Sequence, residues 1–533
     1  MAATATPVVP SDGAVRDFRL WVPGWLARWP EWARVGGFLV IVCAASVVLR
    51  TRYLGGQYWM DEAITVGISS HSLSAIPGVL RMDGSPPLFY LLLHLWMSLF
   101  GSSEAATHTL TVVIGMLCVP VGFWAGWSLF GKRAGMMAAV LFAFSAFITE
   151  YSQETRMYVL MALLGLLATV GFLQGFVYRR RRYVALFAVS QALMLYTHAW
   201  GIFYGVASVG ALAILWRISD SAAREGLIRD AVLAYVGAGV LFAPWIPTFL
   251  YQAAHTAAPW DSSPHFGAPV QLSRNIMGGD RVTAAVVISA VVGLAPLMVR
   301  RRRLSFDARL MWMLIALPVG TLLLAWIASQ VTPAWVPRYF APVVAPILLL
   351  FALGMSRAGV VGAVGLVLSV VFLANPTSYT PQYKSDMKDV AAELAPRLHP
   401  GDLVIVGQPE QTPLAYYYLP GGLRFANTTG PVRDPSFMDW INSLQHLRSA
   451  SPAGTLTPLL DSLRPGQQVA FIRPLTEGAN NWEAPWTRLV RRRSAQWGAI
   501  IASDKQLTPV MWAPHNYRGA CCVADSAVLY KKL

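Results

Sequence analysis

Residues 157–182 read MYVLMALLGLLATVGFLQGFVYRRRR, a run of 22 uncharged and mostly apolar residues that ends in four arginines. An α-helix of this length rises about 33 Å, enough to cross the hydrocarbon core of a bilayer. A cluster of arginines at one end of such a run is typical of the cytoplasmic end of a transmembrane helix. The stretch therefore predicts a membrane span whose Arg179 end faces the cytoplasm.

Similar runs fill most of the first 375 residues of this 533-residue chain. The chain is 55% hydrophobic and 13% charged, against roughly 25% charged in an average soluble domain, so its composition excludes an ordinary soluble globule. We predict an α-helical polytopic membrane protein with about 11–12 transmembrane helices. The clear spans are at about 36–51, 109–130, 134–149, 157–178, 183–197, 201–216, 230–250, 283–299, 308–330, 339–356 and 359–374.

The net charge of +15 lies largely in clusters between these spans. The clusters fall on one side, with the N-terminus, if residues 86–100 do not cross the membrane. We therefore expect 86–100 to be a re-entrant or surface helix, with a short span as the alternative. Nucleic acid is not an expected partner, because no recognisable binding fold accompanies the charge. The clusters are Lys132-Arg133, Arg179 to Arg182, Arg217/Arg224/Arg229, Arg300 to Arg303 and Arg357.

This topology predicts three parts: a cytoplasmic segment 1–35, a membrane module 36–375 with a large outer loop 52–108, and an extracytoplasmic domain 376–533. The last part contains a helical segment at 385–394 and two apolar strand candidates, at 403–407 and 468–472. Alternation of strand and helix predicts a small α/β domain. The expected location is the plasma (inner) membrane, with any chemistry on the outer face.

Four cysteines in 533 residues exclude a disulfide framework. Cys43 and Cys118 lie in apolar runs, which predicts that they are packing residues. Cys521 and Cys522 are adjacent, so that a bond between them would be strained, and a bond to another protein is the alternative. The N-terminus lacks a short apolar core with a cleavage site, and we do not predict a cleaved signal peptide.

The first outer loop carries two adjacent acids, Asp61 and Glu62, just beyond the first span. Neighbouring side chains point in different directions, so one carboxylate is able to act as a general base while the other holds structure or a cation. A solvated helix cap is the alternative interpretation. An acidic side chain at a membrane interface is either hydrated or has a functional role.

Further polar groups lie at the same ends of the spans. Arg156, near Glu154, has the planar fork that suits a phosphate, although it is also placed to snorkel at a span end. His198 is either a catalyst or a hydrogen-bonded interface residue. Arg338 with Tyr339, and Asp83, complete the set. The sequence contains no P-loop, no zinc-type His/Cys cluster and no nucleophile elbow.

Four motifs in this order resemble the GT-C membrane glycosyltransferases. More closely, they resemble the bacterial predicted membrane mannosyltransferases related to protein O-mannosyltransferases and to the lipid A aminoarabinose transferase. The resemblance covers about 50–400. The motifs are Asp61-Glu62-Ala63, the stretch from Asp83-Gly84-Ser85-Pro86-Pro87 to Glu104, Tyr151 to Tyr158, and Arg338-Tyr339-Phe340.

The resemblance implies a polyprenyl-phosphate sugar donor and a general base in the first outer loop. Here the base is Asp61, with Glu62 as its partner or as a substitute base. It implies an inverting sugar transfer, most simply of mannose, to an envelope glycan, glycolipid or protein. An arabinosyl, galactosyl or amino-sugar transferase, or a lipid-linked glycan flippase, is the alternative. Arg156 and Arg338 are the expected phosphate ligands, with support from His198, Tyr158, Asp83, His108, Glu154 and Tyr339.

Two positions depart from the family pattern. Ser85 stands where many relatives have a histidine before the proline pair, and His108 stands where many have an arginine. His108 is therefore expected to be a pH-sensitive substitute for a fixed cation, or a mark of a different acceptor. We expect no obligatory metal, because Asp61 and Glu62 alone are too few ligands for a closed divalent-cation site.

Overall fold

The computed structural model describes residues 29–256, 258–299, 305–374, 384–475, 483–513 and 524–533. Three predictions fall outside these ranges: those on the extreme N-terminus, on the Arg300 to Arg303 cluster, and on Cys521 with Cys522. Cys43 and Cys118 are free thiols that pack among apolar residues, as predicted.

Residues 31–374 form a helical membrane module. Short π- or 3₁₀-helical turns extend or precede three of its helices, at Leu173–Val177, Ala243–Trp245 and Pro337–Phe340. The helices are α1 (Glu31–Arg50), α2 (Met60–Ser69), α3 (Ile76–Asp83), α4 (Leu88–Phe100), α5 (Glu104–Phe130), α6 (Lys132–Phe144), α7 (Ala146–Tyr151), α8 (Tyr158–Phe172), α9 (Arg182–Thr197), α10 (Gly201–Ile218), α11 (Ser221–Phe242), α12 (Ile246–His255), α13 (Ala268–Met277), α14 (Asp280–Met298), α15 (Phe306–Val331), α16 (Ala341–Arg357) and α17 (Val360–Ala374).

Eight helical stretches in the described part of the chain are long and apolar enough to cross a membrane. They coincide with eight of the eleven predicted spans. The other three predicted spans are shorter helices, α6, α9 and α17, with 13, 16 and 15 residues. The prediction of a polytopic helical membrane protein is confirmed.

The predicted span 134–149 is two helices, because the chain breaks at Ser145 between α6 and α7. The backbone of Ser145 is extended, and its hydroxyl accepts a hydrogen bond from the N–H of Ile148. Carbonyls freed by a break inside a membrane need new donors. The fully buried Arg50 is such a donor, because its Nη2 donates to the oxygens of Phe142 at 2.8 Å and Ala143 at 3.4 Å.

Helix α4 has both ends on one side of the module. The oxygen of Ser85, just before α4, accepts from Gln252 Nε2 at 3.2 Å, and the oxygen of Ser102, just after it, accepts from Tyr417 Oη at 2.9 Å. Tyr417 belongs to the C-terminal domain, and Gln252 lies three residues before His255, whose oxygen accepts from the N–H of Asn442 in that domain. Both ends of this helix therefore lie near the domain, and the re-entrant or surface placement of 86–100 stays a prediction.

The stretch Tyr158–Val177 is the central helix of the module. Of its most apolar 18 residues, 94% are buried. Glycines allow its neighbours to approach closely, as is common between membrane helices. A Cβ at Gly165 would lie 2.9 Å from Pro342 of α16, and one at Gly171 would lie 2.6 Å from the backbone nitrogen of Phe187 of α9. The apolar run that predicts this span therefore also contains the glycines at which the neighbouring helices pack.

Residues 384–533 form the predicted small α/β domain around a six-stranded sheet of order β3-β2-β1-β4-β6-β5. Strands β2 and β4 pair in parallel with β1, and β3, β6 and β5 are antiparallel to their neighbours. The elements are α18 (Met387–Leu394), β1 (Leu403–Val406), α19 (Thr412–Tyr418), β2 (Arg424–Asn427), β3 (Gly430–Val432), α20 (Ser443–Ser449), α21 (Thr457–Asp461), β4 (Gln468–Pro474), α22 (Pro485–Ser503), β5 (Leu507–Ala513) and β6 (Asp525–Lys532).

Both faces of the sheet are buried at the central strand β1, whose successive side chains point to opposite faces. Leu403 and Ile405 of β1 belong to an apolar cluster with Trp497 of α22. Val404 and Val406 belong to the larger core that continues into the membrane module. The domain is thus packed onto the module through one face of its sheet.

Polar contacts join the domain to the loop 52–108. Tyr418 Oη accepts from the N–H of Tyr58 at 2.9 Å, and Lys388 Nζ lies 2.8 Å from Glu104 Oε1. The N–H of Trp440 donates to the oxygen of Met82 at 3.0 Å. The loop is therefore enclosed between the spans and the domain.

Candidate active site

A cavity of about 590 Å³ lies where the loop 52–108, the ends of several spans and the C-terminal domain meet. Ligand sites in proteins are commonly about 300–1,000 Å³ and combine apolar walls with a few polar groups. The wall includes Trp59, Asp61, Asp83, Arg156, His198, Trp260, Arg338, Tyr339, Gln408, Glu410 and Trp440.

Asp61 lies in the first turn of α2, where the partial positive charge of the helix N-terminus favours a carboxylate. Its Oδ2 is 3.1 Å from Nη2 of Arg338 and 3.8 Å from Nη2 of Arg156. The side chain is 20% exposed. One carboxylate therefore faces two guanidinium groups inside the cavity.

Arg156 lies in the irregular segment between α7 and α8. Its Nη1 donates to Thr65 Oγ1 at 2.7 Å and to the backbone oxygen of Asp61 at 3.2 Å. The side chain is 11% exposed. These bonds fix the guanidinium in the cavity wall, whereas a snorkelling arginine extends into solvent.

Arg338 lies in the 3₁₀ turn Pro337–Phe340 before α16. Its Nε donates to Tyr158 Oη at 3.0 Å, and its guanidinium carbon is 5.1 Å from the centroid of the Trp59 ring. Tyr158 Oη also accepts from Arg156 Nη2 at 3.4 Å. Tyr158 is fully buried and is not among the residues that line the cavity, so it positions the two arginines.

His198 follows α9 and lines the same cavity. Its pKa is lowered to about 3, because burial disfavours the charged ring and Arg156 and Arg338 repel it. Its Nδ1 accepts from the N–H of Trp200 at 3.2 Å. At neutral pH the ring is therefore uncharged, and this contact assigns the proton to Nε2, which is a hydrogen-bond donor.

The lowered pKa of His198 predicts a pH-dependent contribution to stability. The ordinary value is 6.5, so the unfolded chain binds a proton between pH 6.5 and about 3 that the folded chain does not bind. Stability is therefore lost as the pH falls through this window. Between pH 7 and 5, we expect His198→Gln to lose less unfolding free energy than the wild type, by up to about 2 kcal/mol. Its thermal midpoint should therefore fall by fewer degrees. Equal shifts in a scanning-fluorimetry pH series would contradict the assignment.

Asp83 and Tyr339 also line the cavity. Burial raises the pKa of Asp83 to about 6, and hydrogen bonding from Ser85 and the charge of Arg156 oppose that rise. Near neutral pH the cavity therefore contains a second carboxylate besides Asp61. The ring of Tyr339 lies 4.6 Å from that of His198.

The carboxylate of Glu62 is turned away from the cavity and is fully buried. Successive helical residues are about 100° apart, so Glu62 faces the module when Asp61 faces the cavity. It accepts from His108 Nε2 at 2.7 Å, from the N–H of Thr155 at 2.8 Å and from Lys384 Nζ at 3.0 Å. Burial raises the pKa of Glu62, but Lys384 and His108 outweigh burial and lower it. In this geometry Asp61 is the acid of the pair that faces the cavity, and Glu62 lies beside it as a buried partner.

His108 and Glu154 also lie outside the cavity lining. Nδ1 of His108 is 2.7 Å from the oxygen of Leu54 and Nε2 is 2.7 Å from Glu62 Oε1, so the ring pairs with Glu62 outside the cavity lining. Glu154 Oε1 accepts from Trp59 Nε1 at 3.2 Å. Burial and the charge of Glu62 raise the pKa of Glu154 to about 7.

Lys384 was missed by the sequence analysis, because a single lysine beside a predicted α/β domain carries no recognisable signal. The structure shows that it connects this domain to the residue next to Asp61. Its Nζ donates to both oxygens of Glu62 and to the oxygen of Gln153. The membrane module and the domain therefore share a buried ion pair.

Loss of this ion pair is expected to destabilise the protein strongly. Lys384→Met leaves the buried Glu62 without its cation, and breaking a buried pair on one side costs about 3–5 kcal/mol. The control is Lys388→Met, which removes a half-exposed partner of Glu104 and costs about 1 kcal/mol or less. Denaturant unfolding in micelles measures both, and equal losses would contradict the buried-pair interpretation.

Comparisons with known proteins agree with this architecture. The chain matches no protein-family model and no curated protein sequence. Among solved structures it is similar to ArnT from Cupriavidus metallidurans bound to undecaprenyl phosphate, at a TM-score of 0.60 and 15% identity, over 94% of this chain and 98% of that one. ArnT from the same organism in the apo state gives a TM-score of 0.61 at 13% identity, with the same coverage.

A mutant form of the arabinofuranosyltransferase AftD from Mycobacteria gives a TM-score of 0.52 at 16% identity, over 93% of this chain and 41% of that one. The class defined by these likenesses is the GT-C fold of membrane glycosyltransferases, with a small sheet domain near the C-terminus. The resemblance predicted from the sequence motifs is confirmed at the level of the fold.

Proposed function

We propose that this protein is a glycosyltransferase that moves one sugar from a polyprenyl phosphate to a hydroxyl group of an acceptor. The observation that supports this best is the placement of Asp61 opposite Arg156 and Arg338 in one cavity, at the boundary between the membrane module and the domain. The pair of arginines suits a phosphate, and the carboxylate suits a proton acceptor.

In the proposed reaction the acceptor oxygen attacks the anomeric carbon of the donor sugar. A new carbon–oxygen bond forms while the bond from that carbon to the phosphate oxygen breaks. Asp61 takes the hydroxyl proton, and polyprenyl phosphate leaves with the electron pair. Attack opposite the leaving group inverts the anomeric centre.

The two arginines stabilise the negative charge that grows on the leaving phosphate. Arg338 pairs with Asp61 in the structure. An incoming phosphate offers Arg338 a stronger partner, which leaves the carboxylate free to accept the acceptor proton. His198 donates from Nε2 to the phosphate or to the sugar, and Tyr158 keeps both guanidinium groups in place.

The donor lipid is proposed to be a polyprenyl phosphate because ArnT, similar in fold over 94% of this chain, has been solved with undecaprenyl phosphate. Mannose remains our proposal for the sugar, as the sequence resemblance implies. An arabinosyl or amino-sugar donor is supported equally well, because the structural neighbours are an aminoarabinose and an arabinofuranosyl transferase.

That the protein needs no metal ion remains a proposal. In the described residues no group of three or more His, Cys, Asp and Glu side chains is placed to hold a metal ion. Glu62, considered as an oxygen ligand beside Asp61, is turned away and paired with Lys384. Asp61, Asp83 and Glu410 all line the cavity, but among the described residues they are not grouped as the ligands of one metal ion. The proposed reaction therefore has no step that involves a metal ion.

A transfer assay tests the proposed function. Purified protein in detergent is incubated with radiolabelled polyprenyl-phosphate mannose, and in parallel with the arabinose, galactose and aminoarabinose donors. Crude envelope glycolipid, glycan and protein fractions serve as acceptors. We expect a new labelled product with one donor. Donor binding without any product would favour the lipid-linked glycan flippase instead.

We propose that the protein is in the plasma membrane with the cavity and the C-terminal domain outside. Lys132 pairs with Glu31 at 2.5 Å, which places the start of α1 and the start of α6 on one side, away from the cavity. Basic residues favour the cytoplasmic side.

Cysteine labelling tests this orientation. In a chain without native cysteines, we expect Ser102→Cys to react with an impermeant maleimide in intact cells and Arg182→Cys to react only after lysis. Labelling of both positions from outside, or of neither, would contradict the topology.

A further inference from the structure

The cavity coincides with the crevice at the carboxyl ends of two parallel strands of the domain. Gln408 and Glu410 follow β1, and Thr487 follows β4, which pairs directly with β1. Ligands of open α/β sheets bind at the carboxyl ends of strands, where connections run to opposite sides. Here β2 and β4 lie on opposite sides of β1. The domain therefore contributes its own binding crevice to the cavity.

Glu410 is held in this crevice with one oxygen unused. Its Oε1 accepts from Trp486 Nε1 at 3.0 Å and from Gln408 Nε2 at 2.9 Å. Among the described residues, Oε2 has no hydrogen-bond partner, although the side chain is only 6% exposed. A buried acceptor without a partner costs about 1–3 kcal/mol. The site is thus suited to a ligand that brings an O–H or N–H donor.

A row of three tryptophan rings begins at Trp486, which donates to this carboxylate. The rings of Trp260 and Trp440, which both line the cavity, are 4.5 Å apart, and that of Trp486 is 5.3 Å from Trp440. An apolar aromatic wall with a few fixed polar groups complements a sugar, which has C–H faces and hydroxyl edges.

Charge separates the two ends of the cavity. Arg156 and Arg338 attract an anion, whereas Glu410 disfavours one. The phosphate of a donor therefore belongs at the arginines, and a hydroxyl-rich neutral group belongs at Glu410. Gln408, which donates to Glu410, lies 3.8 Å from Sδ of Met60, the residue next to Asp61, so a group bound there lies near the proposed base.

We propose that Glu410, with Gln408 and Trp440, binds the hydroxyl groups of a neutral carbohydrate acceptor, so that the acceptor of the reaction is a glycan or the glycan part of a glycolipid. This inference rests on the proposed function, because it assigns the second substrate of that reaction. The C-terminal domain is then the acceptor-binding wall of the site.

Sugar binding in the absence of any donor tests the inference separately. Methyl glycosides of mannose, galactose and arabinose disaccharides are titrated into the full-length protein in detergent, with tryptophan fluorescence and saturation-transfer NMR as readouts. We expect the wild type to bind one of them, and Glu410→Gln to bind it about tenfold more weakly, because Gln removes a charged acceptor. Trp440→Leu, as a second variant, is expected to weaken binding similarly.

The matched control is Glu483→Gln, which changes an exposed acid of the same domain and is expected to leave binding unchanged. Equal affinity of Glu410→Gln and Glu483→Gln, or no binding of any disaccharide to the wild type, would overturn the inference. Sugar binding that depends on Glu410 without transfer from any donor would support the subsite and contradict the proposed function. Transfer that is unaffected by Glu410→Gln would support the proposed function and contradict the subsite.

Discussion

Asp61→Asn is expected to abolish sugar transfer while donor binding persists. A general base contributes about 10²–10⁴-fold to the rate, and the amide of Asn does not accept the hydroxyl proton, so we expect kcat to fall by about 10³-fold. The variant also removes the carboxylate that Arg338 contacts at 3.1 Å. The affinity for polyprenyl phosphate is therefore expected to stay the same or to rise. Single-turnover transfer and equilibrium binding of radiolabelled polyprenyl phosphate measure the two effects.

The matched control is Asp83→Asn, because Asp83 lines the same cavity with the same side-chain type. Its carboxylate has no hydrogen bond or ion pair to either arginine among the described contacts, and we expect a decrease in kcat of about tenfold or less. The assignment of the base to Asp61 would be wrong if Asp83→Asn abolished transfer while Asp61→Asn retained it.

The membrane fold was predictable because its information is local. Long uncharged runs and the arginines between them mark spans and sides without reference to tertiary contacts. The break at Ser145 was not predictable, because it depends on Arg50, which lies almost one hundred residues away and donates to the freed carbonyls. The bounds of α9 and α17, by contrast, follow the predicted apolar runs closely.

The candidate site was predictable in part. Asp61, Arg156, His198 and Arg338 occur at the same ends of the spans, and the structure places all four around one cavity. The sequence does not show which of two neighbouring acids faces that cavity. Helix rotation and the buried Lys384 decide it, since a cation inside the protein fixes the orientation of Glu62.

The contribution of the C-terminal domain was not predictable, because it depends on how two chain segments meet. Gln408 and Glu410 read as ordinary polar residues after a strand. Only the pairing of β1 with β4 and the packing of the domain on the loop 52–108 bring them to the cavity. Long-range pairing of this kind leaves no periodic signal in the sequence.

Arg338→Lys is expected to lower kcat/KM by about 10²–10³-fold although the positive charge is kept. Arg338 uses its fork to donate from Nε to Tyr158 at 3.0 Å and from Nη2 to Asp61 at 3.1 Å. A lysine has one nitrogen and does not reproduce both directions, so the charge is less well aligned with the leaving phosphate. Steady-state transfer kinetics, with inhibition by added undecaprenyl phosphate, measure catalysis and phosphate affinity separately.

Arg357→Lys is the matched control, because Arg357 pairs with Asp307 at the opposite end of the module and is partly exposed. It is expected to transfer at the wild-type rate, which excludes a general effect of Arg-to-Lys exchange. If Arg338→Lys behaved like this control, the fork geometry would be irrelevant and Arg338 would act only as a charge. A loss seen in kcat more than in phosphate affinity would instead show that Arg338 acts mainly when the phosphate leaves, since an interaction made only in the transition state changes kcat.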